Sequence, residues 1–151
     1  MTRDTLATVV RLRRSVVNEA SAFLVECIRA EAAATAAVKA AGAAIARERR
    51  AAEELAADDA EVEAFAGWLK RGRAGLERAR VIHERAAAET ARARATLAAA
   101  RAALEAAETL HAAQEQEIRA GRDRKEQLNL DEAGTRSKLQ GTPQGTPQGT
   151  S

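Results

Sequence analysis

The chain has 151 residues and carries 24 basic against 22 acidic side chains, a formal charge of +2. Aromatics make up 2% and alanine fills 40 positions, so most of the 46% hydrophobic content is methyl groups. Too few large side chains remain to offset chain entropy in a compact globular core, which excludes most enzymes, sandwiches, barrels and parallel-sheet folds and leaves long helices.

No apolar stretch follows Met1-Thr2-Arg3-Asp4, so no signal peptide is expected. No run of about 18 apolar residues occurs, so no transmembrane helix is expected either. The single cysteine, Cys27, excludes an internal disulfide and fits a reducing compartment. Helical periodicity begins near residue 4. Val10, Val17, Leu24, Glu31, Val38, Ile45, Ala52, Asp59 and Ala66 recur at steps of seven. Leu6, Arg13, Ala20, Cys27, Ala34, Ala41, Glu48, Leu55, Val62 and Leu69 sit three further on. These are the a and d positions of one unbroken frame and predict a first helix over residues 4–68. Leu12, Val16 and Phe23 fall outside that seam. They form an extra apolar stripe that either docks on a partner or is covered by the last helix at that end.

Residues 51–66 hold six acidic and no basic side chains, and residues 67–80 hold five basic against one acidic. An acidic collar before a basic segment reads either as a docking tip or as solvated helix faces. Gly67, Gly72 and Gly75 interrupt the pattern and place a turn over residues 69–75. A second frame follows, with Leu76, His83, Thr90, Leu97, Leu104, His111 and Ile118 at steps of seven. Ala79, Ala86, Ala93, Ala100, Ala107 and Gln114 sit three further on, so a second helix is predicted over residues 76–133. Two long helices joined by a short loop pack as an antiparallel hairpin.

A turn centred on Gly72 and Arg73 pairs residues whose numbers sum to about 145, setting large against small in each layer. Val38 then meets Ala107, Ile45 meets Ala100 and Ala41 meets Leu104. Glu31 falls opposite Gln114, His83 near Asp59 and His111 near Glu31. The polar layers read as register markers, with a pH-sensitive contact as the alternative. The expected fold is all-α: a long two-helix antiparallel coiled-coil hairpin over residues 1–135. Residues 136–151, ending in a Gly-Thr-Pro-Gln repeat with nothing apolar to bury, are expected to be a disordered tail.

Candidate chemistry is sparse. His83 and His111 lie on one helix about 42 Å apart and cannot share a site. Cys27 has no His or Cys neighbour to complete a metal site. The run Asp58-Asp59-Ala60-Glu61-Val62-Glu63 lacks the glycine of a calcium loop and reads as a solvated helix face. The glycines do not form a phosphate loop, and no cofactor is expected. Outside the basic loop the arginines are dispersed among glutamates, which argues against nucleic acid. Protein-binding surface remains.

Three segments carry a resemblance. They are Leu6-Ala-Thr-Val-Val-Arg11-Leu12-Arg13-Arg14, Phe65-x-x-Trp68-Leu69, and Arg124-Lys125-Glu126-Gln127-Leu128-Asn129-Leu130-Asp131-Glu132. Over roughly residues 4–135 the chain resembles the flagellar export protein FliJ and its YscO-type relatives in virulence secretion. Leu128 and Asn129 depart from the charged or small residues more usual there. The resemblance implies a cytoplasmic, non-enzymatic stalk in the export ATPase ring, peripheral at the inner-membrane export gate. Its implied partners are the export ATPase, the export gate protein and export chaperones, with hydrolysis left to the ATPase. By the same resemblance, the end bearing both termini, residues 6–24 and 120–133, would be the end that enters the ring. The implied contact residues are Leu6, Arg11, Leu12, Arg13, Arg14, Arg124, Lys125, Glu126, Leu130, Asp131 and Glu132. The basic side chains would meet acidic partner surfaces and the leucines would fill pockets. The alternatives are a coiled-coil scaffold or spacer with no ATPase partner, and a nucleic-acid binder acting through the basic loop.

Overall fold

The computed structural model describes residues 2–54, 58–141, 145 and 149. It is an all-α helical hairpin of two helices, α1 (Arg3–Glu54) and α2 (Asp59–Gln140), with no strand among the described residues. The fold class matches the sequence expectation, but the turn lies elsewhere. Residues 69–75, expected as the turn, are helical throughout; α1 ends at Glu54 and α2 begins at Asp59. Helix also continues through Gly134 to Gln140, past the expected end at residue 133. The rest of the expected tail falls largely outside the described residues.

Two causes place the break. A helix continued from Glu54 through Asp58 would stack those two like charges at i,i+4, which is destabilising. Asp58 then begins a new helix. Its Oδ1 accepts the Glu61 amide hydrogen at 2.9 Å, and its carbonyl accepts that of Val62 at 3.1 Å. This is an N-cap, worth about 1 kcal/mol. The Asp58-x-x-Glu61 spacing is the capping-box pattern, set in a run of exposed side chains. Asp59 and Glu61 in the first turn also meet the positive end of the helix dipole. At the other terminus the Thr2 carbonyl accepts the amides of Thr5 and Leu6 at 3.1 and 3.3 Å and starts α1.

No glycine among the described residues has a positive φ, so Gly67, Gly72 and Gly75 serve packing or nothing, not a turn. Gly72 has a packing role. A Cβ built there would lie 3.4 Å from Ile45 Cγ1 and 3.6 Å from the Trp68 ring. Gly72 therefore lets α1 and α2 approach at that layer.

The hairpin divides into two compact units, one of residues 11–105 and one of residues 1–10 with 106–151. In the first, Ile45 lies against Gly72, so paired residues have numbers summing to 117 instead of about 145. The difference is 28 residues, four heptads, so the a and d faces are those the repeat predicts and only the layer partners change. Stepping by sevens from Ile45 and Gly72 puts Leu24 with Ala93 and Val17 with Ala100. The adjoining layers put Ala20 with Leu97, Cys27 with Thr90 and Ala34 with His83. Ala20, Cys27, Ala34, Thr90, Ala93, Leu97 and Ala100 are the buried residues among those described in this unit. Thr90, fully buried, donates its hydroxyl to the Ala86 carbonyl at 3.1 Å, so the seam holds it without an orphaned polar atom.

The expected pairings fall with the old register. Ile45 meets Gly72, not Ala100, and Glu31 falls in the layer of Ala86. Asp59 opens the same helix that carries His83, which excludes their pairing across the seam. In the second unit Leu6 and Ala107 are buried. Leu6 borders a shallow surface hollow with Leu110, Ala113, Gln114 and Glu117, so Leu6 marks the layer where α1 begins against α2.

Helical glycines with room for a Cβ carry a cost that alanine removes. Gly67→Ala and Gly75→Ala, whose nearest neighbours are the ends of flexible arginines, should each stabilise the chain by about 0.5–1 kcal/mol in thermal unfolding. A turn at residues 69–75 would give no such gain. Asp58→Ala should cost about 1 kcal/mol.

Candidate functional site

The residues implied by the resemblance divide between the units. Leu6 and residues 124–132 belong to one, and Arg11, Leu12, Arg13 and Arg14 to the other. Leu6 is 7% exposed, a d-position side chain closing the seam, and so is corrected from contact residue to core residue. Arg11, Leu12, Arg13 and Arg14 are exposed, with Leu12 at 63%. Arg124, Lys125, Glu126, Leu130, Asp131 and Glu132 are exposed too.

Their setting in the second unit is distinctive. Leu6 lies beside Leu110, Ala113, Gln114 and Glu117, and α1 begins only three residues before it. Gly121 is half-buried, and every residue from Arg122 to Gln140 is exposed. α2 thus runs 19 residues past its last half-buried position, about 28 Å of helix that no described residue covers. This stretch carries Arg122, Arg124, Lys125, Arg136 and Lys138 against Asp123, Glu126, Asp131 and Glu132. Leu128, Leu130 and Leu139 stand exposed among them. Within the stretch, Arg124 Nε donates to the Ala120 carbonyl at 3.2 Å, Thr135 Oγ1 donates to the Asp131 carbonyl at 2.9 Å, and Arg136 pairs with Glu132 at 3.6 Å. Such local bonds hold side chains along a solvated helix and add a few tenths of a kcal/mol each.

The off-seam stripe on α1 resolves as well. Leu12 and Phe23 are 63% and 57% exposed and Val16 is 37%, so α2 does not cover them. The segment around the break is different again. Phe65 and Trp68 stack with centroids 6.3 Å apart and planes 16° from parallel. With Val62, Ala51, Ala52 and Ala64 they line a hollow of about 610 Å³ whose rim carries Glu48, Arg49, Glu53 and Glu61. Glu53, Glu54, Asp58, Asp59, Glu61 and Glu63 are all exposed, as solvated faces would be. Lys70, Arg71 and Arg73 lie on the α2 helix rather than in a loop, which removes the basic loop on which nucleic-acid binding rested.

Among the described residues, no group of three or more His, Cys, Asp and Glu side chains is placed to hold a metal ion. Cys27 is buried in the seam as a free thiol. Among the described residues, no helix is long and apolar enough to cross a membrane. No family model matches the chain, and neither a curated protein nor a solved structure matches it at a significant level.

Burial separates the two leucines of the N-terminal motif. Leu6→Ala should cost about 2 kcal/mol by lost burial and a residual cavity. Leu12→Ala should stay within about 0.5 kcal/mol, as at other exposed sites. Thermal unfolding followed by circular dichroism reads both, and equal losses would return Leu12 to the core.

Proposed function

We propose that this chain is a non-enzymatic stalk component of a bacterial type III protein export apparatus of the flagellar kind. In this reading it works on the cytoplasmic side of the inner membrane, engaging the export ATPase ring and, through it, the export gate and export chaperones. Hydrolysis belongs to the ATPase. The observation that carries the reading is the uncovered end of α2. A helix held by a partner over most of its length and bare over its last 19 residues presents a preformed, low-entropy element for insertion between other subunits. The residues of the C-terminal motif, Arg124-Lys125-Glu126 and Leu130-Asp131-Glu132, all lie on that bare stretch. Mixed charge along it suits an interface read by electrostatic complementarity, and Leu128 and Leu130 supply apolar anchors.

The contact set is accordingly Arg124, Lys125, Glu126, Leu130, Asp131 and Glu132, with Arg11, Leu12, Arg13 and Arg14 as a separate surface and Leu6 withdrawn. A coiled-coil scaffold without an ATPase partner shares the hairpin but has no need of this bare segment.

The experiment is a binding and hydrolysis titration against the export ATPase of the same organism. The full chain should bind and stimulate hydrolysis. Arg124→Glu combined with Lys125→Glu should lower the affinity at least tenfold with helicity unchanged. Binding that survives the reversal moves the contact off α2, and no binding by the full chain leaves the scaffold.

A further inference from the structure

We propose that two copies of this chain associate through one flank of the unit of residues 11–105, each laying α1 on α2 of the other. The hairpin's two flanks are unlike. On one, the α1 row that borders the seam holds Val16 and Phe23, with Leu12 beside it, all exposed. The row bordering the opposite side of the seam holds Arg14, Ser21, Ile28 and Thr35. One flank is therefore an apolar strip next to a tightly closed seam, and the other is mostly polar. In an antiparallel pair, the apolar α1 row shares its flank with the α2 row that contains Thr96 and Ala103, with Ala99 just outside.

The choice of a second copy rests on two complementarities within this flank. The first is size. At the height of Leu12, Val16 and Phe23, α2 offers Ala103, Ala99 and Thr96, large on one helix and small on the other. The second is charge. The outer row of α1 carries Glu19 and Glu26, and that of α2 carries Arg85 and Arg92. Glu89 also lies on the α2 side, where it pairs with Arg92, and Arg29 pairs with Glu26 at 2.8 Å. With Arg29 and Glu89 included, the flank sums to −1 on α1 and +1 on α2 over these residues. A two-fold axis parallel to the helices brings large onto small and acidic onto basic, each contact made twice, as an isologous interface requires. Pairing α1 with α1 would instead set Glu26 against Glu26 and Phe23 against Phe23. The four helices are then antiparallel to their neighbours, a common bundle arrangement. Residues 124–132, which carry the proposed function, take no part; Leu12 alone is shared with its contact set, so the two readings are tested separately by variants at Arg124 and Lys125 and at Phe23.

The full chain is to be measured by light scattering at about 100 µM, where an interface of micromolar Kd is largely occupied. The expected mass is twice the 16.0 kDa of one chain. Phe23→Glu should weaken association at least tenfold and return the mass to that of one chain, with circular dichroism unchanged. Ile28→Glu, on the other flank, should leave the dimer intact. Glu26→Arg should weaken it, and Glu26→Arg with Arg92→Glu should restore it. A single-chain mass for the unaltered protein overturns the proposal. A dimer that survives Phe23→Glu, or that Ile28→Glu dissolves, overturns the choice of flank. A double variant no stronger than Glu26→Arg alone overturns the α1-on-α2 arrangement.

Discussion

Close approach of two helices is the constraint on which this fold depends. A seam built almost wholly of alanine would bury too little, and one built of leucine on both sides would hold the helices apart. Here three layers set a small residue beside a larger one: Gly72 against Ile45, Ala93 in the layer of Leu24, Ala20 in the layer of Leu97. Interdigitation of this kind recovers dispersion contacts that a loose alanine interface would lose. The two helices lean on that seam for stability, because exposed i,i+3 and i,i+4 ion pairs such as Arg29–Glu26 and Arg49–Glu53 add only tenths of a kcal/mol each.

The same constraint sorts surface from core. Leu6 and Leu12 stand six residues apart in one motif, yet one closes a layer and the other faces water. Their heptad positions decide this, not their chemistry. The seam also explains why Cys27 and Thr90 are buried: both are small enough for a d-type or facing site, and Thr90 satisfies its hydroxyl on its own helix.

The helices, the absence of strands from the reading and the identity of the buried faces were all legible in the sequence, because a seven-residue repeat of apolar positions has no other economical fold. The layer partners were not. Heptad arithmetic determines a pairing only to within whole heptads, and the expected register is displaced by four of them. The turn misled for a local reason. Three glycines near residue 72 outweighed a break made of charge repulsion and an aspartate cap, although Asp58-x-x-Glu61 was there to be read. The candidate site inherited that error. With a turn at residue 72 the two termini lie level; with α1 ending at Glu54 and α2 beginning at Asp59, residues 124–132 stand exposed. The off-seam stripe of Leu12, Val16 and Phe23 was visible from spacing, but its exposure awaited the position of α2.

A repeating seam keeps no record of which layer is which. Ile45 fits opposite Gly72, and by the same periodicity it would fit opposite Ala100. The sequence therefore encodes a family of hairpins differing in where the strand of charge is folded back, and their buried faces are nearly alike. What singles out one is the short acidic passage around Asp58, where continuing the helix is disfavoured and starting a new one is rewarded. In this protein the choice among long-range pairings is thus delegated to a local signal, the way a zipper's alignment is set by its first tooth.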